Sequence, residues 1–389
     1  MSNSIRSIAG VGLALLLVGC VSNSGVESKV ADQDVLKAQL GQQLYFDSNL
    51  SSNRTQSCAT CHAPDRGFAD PRDNGVNGAV SLGDDGKSLG DRNAPTAAYA
   101  MFSPKFQLTD DGKYMGGQFH DGRESGLAGQ AGGPPTNPIE MGLPSKTVAV
   151  ERLLENAAYV ESFKAIYGDE IFADAEQAYG AIADSIAAFE RTELFAPFDS
   201  KYDRFLRGEY KLTAQEELGR TLFFSQQFTN CNQCHQLQTS QRHPQETFTN
   251  YEYHNIGVPV NTAARAKNGV AADHVDRGLL DNPQVSDPKQ AGKFKVPTLR
   301  NVAVTGPYMH NGVFQDLRTV VLFYDKYNSR SAKRQINPET GKAWGNPEVA
   351  ANISLKELES GPALKEKRID ALVAFMKTLT DKRYEHLVQ

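Results

Sequence analysis

The sequence of 389 residues is poor in spare cysteine, in strand-like alternation, in blocks of like charge and in long apolar runs. Each shortage excludes something. The net charge of −5 is spread without a like-charged block, so no nucleic-acid partner is expected. The apolar run Ile8 to Val18 is too short to cross a bilayer. Period-two alternation is scarce, which argues against a fold built on sheets. Of the five cysteines, four lie in two pentapeptides and the fifth is Cys20, so no thiol is left for a disulfide.

What is present centres on those pentapeptides, Cys58-Ala59-Thr60-Cys61-His62 and Cys231-Asn232-Gln233-Cys234-His235. Both read C-x-x-C-H, the attachment signature of c-type haem. Two thiols three positions apart can each form a thioether to a haem vinyl group, and the adjacent imidazole reaches the iron. A shared Cys₄ zinc site leaves two histidines at identical offsets unexplained. A dithiol redox centre does not need the histidine. Two covalently bound haems are therefore expected, with His62 and His235 as iron ligands.

Met1 to Cys20 reads as a secretory leader, with Arg6 as its positive start. Leu17-Val18-Gly19-Cys20 resembles a bacterial lipobox, which makes residues 1–20 a lipoprotein-type signal peptide and Cys20 its lipidated cysteine. A plain signal peptide or an uncleaved anchor are the alternatives. Export to the periplasm, with a lipid anchor to the membrane, is expected. Residues 21–34 are small and polar and read as a tether.

The surroundings of the two motifs repeat. Leu40-Gly41-Gln42-Gln43-Leu44-Tyr45-Phe46 precedes the first and Leu218-Gly219-Arg220-Thr221-Leu222-Phe223-Phe224 the second. The fold expected is mainly α, with two cytochrome c-like domains, 35–205 and 206–389, each around one haem. Helical spacing marks Val35 to Leu44, Glu176 to Phe195, Ala214 to Phe223 and Leu364 to Leu379. Segments 71–95 and 255–295 are rich in Gly, Asp, Asn and Pro and read as long loops.

The chain resembles the bacterial di-haem cytochrome c peroxidase superfamily, which includes MauG-type enzymes that oxidise a partner protein. Beyond the two haem motifs, the resemblance rests on Arg92-Asn93-Ala94-Pro95-Thr96, Gln118-Phe119-His120-Asp121-Gly122-Arg123, Asn137-Pro138-Ile139-Glu140-Met141 and the stretch from Leu299 to Gly312. It implies a peroxide-reacting haem at His62 and an electron-transfer haem at His235. It also implies Gln130, Pro134 and Glu140 on the distal side of the first, with Glu140 moving the proton during O–O cleavage.

Several positions depart from the common pattern. No histidine lies between His62 and His120, so the resemblance implies a first haem open to peroxide at rest. Tyr324 stands where many members place an axial methionine, as in MauG-type enzymes; Met309 and Tyr327 are its rivals. An anionic oxygen donor there stabilises oxidised iron, whereas a thioether favours the reduced form. His310 is expected to bond a haem propionate or backbone. His120 replaces the tryptophan that usually carries electrons between the haems, and the single tryptophan is Trp344, in a polar C-terminal loop. Family members also hold a calcium ion at the domain interface, and Asn93, Thr305 and Pro307 are the matching positions.

The leading functional expectation is a periplasmic di-haem peroxidase reducing hydrogen peroxide with electrons from a small cytochrome c or cupredoxin. The second is a MauG-like oxidase that modifies aromatic residues of a partner protein through a high-valent di-haem state. The third is a di-haem electron carrier without catalysis, which would gain nothing from an open haem or a distal carboxylate.

Overall fold

The computed structural model describes residues 24–237, 240 and 242–388. The leader and Cys20 lie outside the described residues. No helix among the described residues is long and apolar enough to cross a membrane.

The fold is mainly helical. The helices are α1 (Ser24–Phe46), α2 (Cys58–Cys61), α3 (Leu127–Ala131), α4 (Lys146–Leu154), α5 (Ala157–Tyr167) and α6 (Ala175–Glu190), then α7 (Lys201–Leu206), α8 (Ala214–Phe223), α9 (Thr262–Arg265), α10 (Leu317–Asp325), α11 (Leu355–Leu358) and α12 (Glu366–Lys377). Three two-residue antiparallel ladders pair Gln107–Leu108 with Tyr114–Met115, Tyr253–His254 with Phe294–Lys295, and Ile336–Asn337 with Lys342–Ala343. The Gly- and Pro-rich segments between them hold only short helical turns, as expected of loops.

Two expectations are corrected. The tether expected over 21–34 is helical from Ser24 onward, and the Gln33 side chain donates to the Ile166 carbonyl at 2.8 Å. No helix breaker follows Gly25, and the side chains from Asp32 to Leu36 are exposed, so polarity there marks the solvated side of a helix rather than a free linker. The helix expected up to Phe195 stops at Glu190, and Arg191 closes it by donating its N–H to the carbonyls of Ala188 and Phe189.

Two hydrophobic cores result, one drawn from residues 40–196 and one from 202–379. In the first, α1 crosses α6; in the second, α8 crosses α12. The repeated glycine makes both crossings tight. A Cβ on Gly41 would fall 1.8 Å from the Ser185 carbonyl oxygen, and one on Gly219 would fall 1.9 Å from that of Ala371. The next turns match as well: Tyr45 meets Phe189 edge-on at 5.4 Å, and Phe223 meets Phe375 at 5.2 Å. Caps hold the helix starts. Asp174 accepts from the N–H groups of Glu176 and Gln177, and Thr213 with Glu216 forms a capping box.

The cores are joined by a buried arginine and by the end of the chain. Arg300, fully buried, pairs with Asp203 at 2.6 Å and lies over the rings of Tyr99, Phe198 and Phe248. Asp381 accepts from the Tyr99 hydroxyl at 2.6 Å and from the Asn301 amide at 2.8 Å. The Tyr384 hydroxyl donates to the Pro64 carbonyl, 2.6 Å away, close after the first C-x-x-C-H.

Candidate haem sites

Each C-x-x-C-H motif is framed in the same way. After Cys58 the chain makes one helical turn, and His62 N–H returns to the Cys58 carbonyl at 2.9 Å; His235 N–H returns to that of Cys231 at 2.9 Å. Both imidazoles donate Nδ1–H to a phenylalanine carbonyl, His62 to Phe68 at 3.2 Å and His235 to Phe248 at 3.1 Å. Phe68 and Phe248 are fully buried and share a left-handed backbone, φ 57° and 56°. A threonine braces each carbonyl turn. Thr96 donates to the Gly67 carbonyl at 2.6 Å, and Thr298 to that of Thr247 at 2.7 Å.

With Nδ1 occupied, Nε2 is left as the donor atom for iron, the arrangement that fixes a metal-binding tautomer. Burial lowers both histidines, His235 to about 4, so neither competes for a proton at neutral pH. The four thiols are unbridged. Burial pushes Cys58 up to about 12 and Cys61 and Cys231 to about 11, which keeps them as neutral thiols. Two free thiols and one oriented imidazole per site fit a covalently attached haem.

Around the first motif, Gln130 on α3, Pro134 and Glu140 form one continuous helix, 3₁₀ turn and loop. Gly133 N–H bonds the Gln130 carbonyl at 3.0 Å and Met141 N–H bonds that of Pro134 at 3.2 Å. Glu140 lies close enough to Cys61 for its charge to raise that thiol. Burial raises the Glu140 carboxyl, against the opposing charge of Arg123 and a hydrogen bond from Asn137. A carboxyl poised in this way can hold or release a proton.

Three neighbours of the first motif carry no sequence signal. Arg72 donates to Cys61 Sγ at 3.2 Å while paired with Asp70 at 2.6 Å. The Tyr45 hydroxyl donates to the His62 carbonyl at 2.9 Å. Glu190, at the end of α6, is buried with Oε2 unpartnered, and burial pushes it up to about 8. Aligning the repeated glycine contacts would have flagged it: Glu190 falls where α12 has Met376.

At the second motif, α10 brings Tyr324 beside the cysteine pair. Burial, then the proximity of Cys234 and Cys231, raises its phenol well above the usual range. Of the two rivals, Tyr327 spends its hydroxyl on the Ile256 carbonyl at 2.9 Å, and Met309 packs in an apolar cluster with Val258, Phe314 and Phe323. Behind Tyr324 its neighbour Phe323 contacts Trp344 edge-on at 5.4 Å. The Lys326 ammonium stands over Phe323 at 3.8 Å; burial lowers it to about 8, which leaves it charged at neutral pH.

Between the motifs lies a charged layer. Arg92 bridges Asp121 and Asp276, each at 2.6 Å. His120 is half-buried and donates Nε2–H to the Asn93 carbonyl at 2.9 Å; desolvation first, then Arg92 and Lys295, lower it to about 4. His310 stacks on Phe294 at 3.6 Å, and its Nε2 has no partner. Its carbonyl accepts from Asn93 N–H at 2.7 Å. The Asn93 amide donates to the Ala79 carbonyl at 3.0 Å, while Thr305 and Pro307 lie against Gly67 and Gly78 of the same loop. Among the described residues no group of three His, Cys, Asp or Glu could hold a metal. A calcium ion at Asn93, Thr305 and Pro307 would therefore depend on carbonyl and amide oxygens.

Residues 36–211 match the family model described as "Di-haem cytochrome c peroxidase". The methylamine utilization protein MauG of Paracoccus denitrificans is 54% identical over 366 residues, covering 94% of each chain. The cytochrome c peroxidase Ccp of Escherichia coli is 34% identical, over 72% of this chain and 50% of that protein. Among solved structures, the diheme peroxidase BthA from Burkholderia thailandensis superposes with a TM-score of 0.78 at 30% identity, covering 91% of this chain and 88% of that one. A MauG-like protein associated with microbial copper homeostasis gives a TM-score of 0.66 at 30% identity, covering 89% and 90%. With these relatives and two framed C-x-x-C-H motifs, the chain belongs to the family of di-haem cytochrome c peroxidases and MauG proteins.

Proposed function

We propose that this protein is a MauG-like oxidase that uses hydrogen peroxide to oxidise aromatic residues of a partner protein. The observation that carries the proposal is Tyr324 on α10, buried and near enough to Cys234 and Cys231 for their charges to raise its phenol. A phenol raised by burial loses its proton to solvent only where a strong cation compensates the phenolate charge, and a haem iron on His235 would be that cation. The similarity to MauG supports this reading over simple peroxide removal with electrons from a small cytochrome c or cupredoxin. Peroxide reduction remains the first chemical step of both.

Two haems, one on Cys58, Cys61 and His62 and one on Cys231, Cys234 and His235, would supply O–O cleavage and storage of the oxidising equivalents. The chain's own groups do the rest. Glu140 would take a proton from peroxide and return it to the departing oxygen, with Gln130 and Pro134 shaping that side. Tyr45 and the Phe68 carbonyl orient His62. His120, neutral and tied to Asn93, would lie on the route between the two sites. Asn93, Thr305 and Pro307 would hold calcium beside it. The division into haem domains 35–205 and 206–389, export to the periplasm and lipidation of Cys20 belong to the same proposal.

Adding peroxide to the oxidised holoprotein without reductant tests it. The spectrum should change at once, leaving the protein two oxidising equivalents above rest, and the oxidised second haem should lack the near-infrared band of methionine ligation. Tyr324→Met should introduce that band and raise the potential of the second haem. A parent inert until half-reduced would instead be a peroxidase that requires reductive activation.

A further inference from the structure

An oxidase of this kind must keep its oxidising equivalents from its own oxidisable side chains, and the tryptophan most exposed to that hazard is Trp344. Phe323 connects it to the second site, with ring centroids 6.3 Å from Tyr324 and 5.4 Å from Trp344. Tyr327 lies 6.2 Å from the same Phe323 ring. On distance alone both are natural sinks for an electron vacancy at Tyr324. Two features oppose that. The Lys326 ammonium stands over all three rings, 3.8 Å from Phe323, 4.7 Å from Tyr327 and 6.0 Å from Trp344. No carboxylate among the described residues is paired with it. The acidic hydrogens of both sinks are also bound to backbone carbonyls, Trp344 Nε1–H to Arg334 at 2.7 Å and Tyr327 O–H to Ile256 at 2.9 Å.

We infer that Lys326 is an electrostatic insulator, which holds oxidising equivalents at the second haem site by making Trp344 and Tyr327 hard to oxidise. The inference rests on the oxidase reading above. A ring that loses one electron toward the haem becomes a cation. It can relax by releasing its N–H or O–H proton to a base, but a peptide carbonyl is not one. The ring must then stay cationic beside an ammonium. At an effective dielectric of about 20, a like charge 6.0 Å away shifts that equilibrium by roughly 10²-fold, and solvent screening at half-buried Trp344 brings this toward ten-fold. The cation–π attraction that seats Lys326 on the neutral rings is the same field that opposes their oxidation.

The test uses the haem-loaded full chain, excess hydrogen peroxide and no reductant. Peptide mass spectrometry follows oxygen insertion at Trp344. The indole loses two electrons and gains a hydroxyl from water, and one peroxide is reduced to water. Trp344 should be modified about ten-fold faster in Lys326→Met and Lys326→Gln than in the parent. Lys326→Arg, which keeps the charge, should restore the parent rate. Equal rates in the parent and both neutral variants would overturn the inference, as would an arginine variant that behaves like methionine. A parent whose haem spectrum ignores peroxide would overturn the oxidase reading and the insulator with it, so the spectrum separates the two failures.

Discussion

The halves of the molecule place the same frame around C-x-x-C-H and differ in what surrounds it. In both, a glycine-led helix meets a second helix at backbone contact, a left-handed phenylalanine offers its carbonyl to the imidazole, and a threonine braces that carbonyl's turn. The first half adds carboxyls, Glu140 near Cys61 and Glu190 near Cys58. The second adds aromatic rings, Tyr324 with Phe323 and Trp344 behind it. A duplicated scaffold thus carries acid–base groups at one end and oxidisable or oxidation-resistant rings at the other. The frame sets where a haem would sit, and the additions set what each site can do.

The largest effect should come from removing the first half's acid. Glu140→Gln should slow the first reaction with peroxide by roughly 10²–10⁴-fold, the usual worth of a positioned proton-transfer group. Stopped-flow absorbance reads it, and both haems should remain attached. An unchanged rate would leave Glu140 with a structural role only.

The shared frame should break equally at either end. Gly41→Ala and Gly219→Ala each force a methyl into a backbone carbonyl, and overpacking of that kind costs about 1–3 kcal/mol or more. Denaturant midpoints should fall in both variants. A loss in one alone would show that the crossings are similar in shape but unequal in strength.

The smallest effect concerns a position where the halves differ within the frame. Glu190 keeps its proton up to about 8 when folded, against an ordinary value of 4.5. Between those values the folded chain binds more protons than the unfolded one, so stability falls as pH rises. Glu190→Met, which copies Met376 of the other half, should flatten that decline and gain stability near the upper limit. Urea midpoints across the window would show the same slope in parent and variant if Glu190 were already ionised.

Much of this was legible in the sequence, for identifiable reasons. The haem motifs and the repeated Leu-Gly segments are local patterns, and α6, α8 and α12 lie near where periodicity placed them. Tyr324 is singled out by the family pattern alone, and its neighbours only by the fold. Arg72, Tyr45, Glu190 and Lys326 act through contacts that loop conformation or helix packing creates, and no short spacing announces them. The tether was misread because a polar segment looks the same whether it is a linker or the outer face of a helix.

The contacts of Asp381 and Tyr384 also set an order of assembly. Tyr99 and Pro64, which both follow the first C-x-x-C-H, receive partners from Asp381 and Tyr384 near the end of the sequence. A chain emerging from its N-terminus therefore has the first cysteine pair translated long before the clasp that closes over its surroundings exists. The residues beyond α12 close that clasp, so the contacts that complete the fold are also the ones that cover the surroundings of the first cysteine pair.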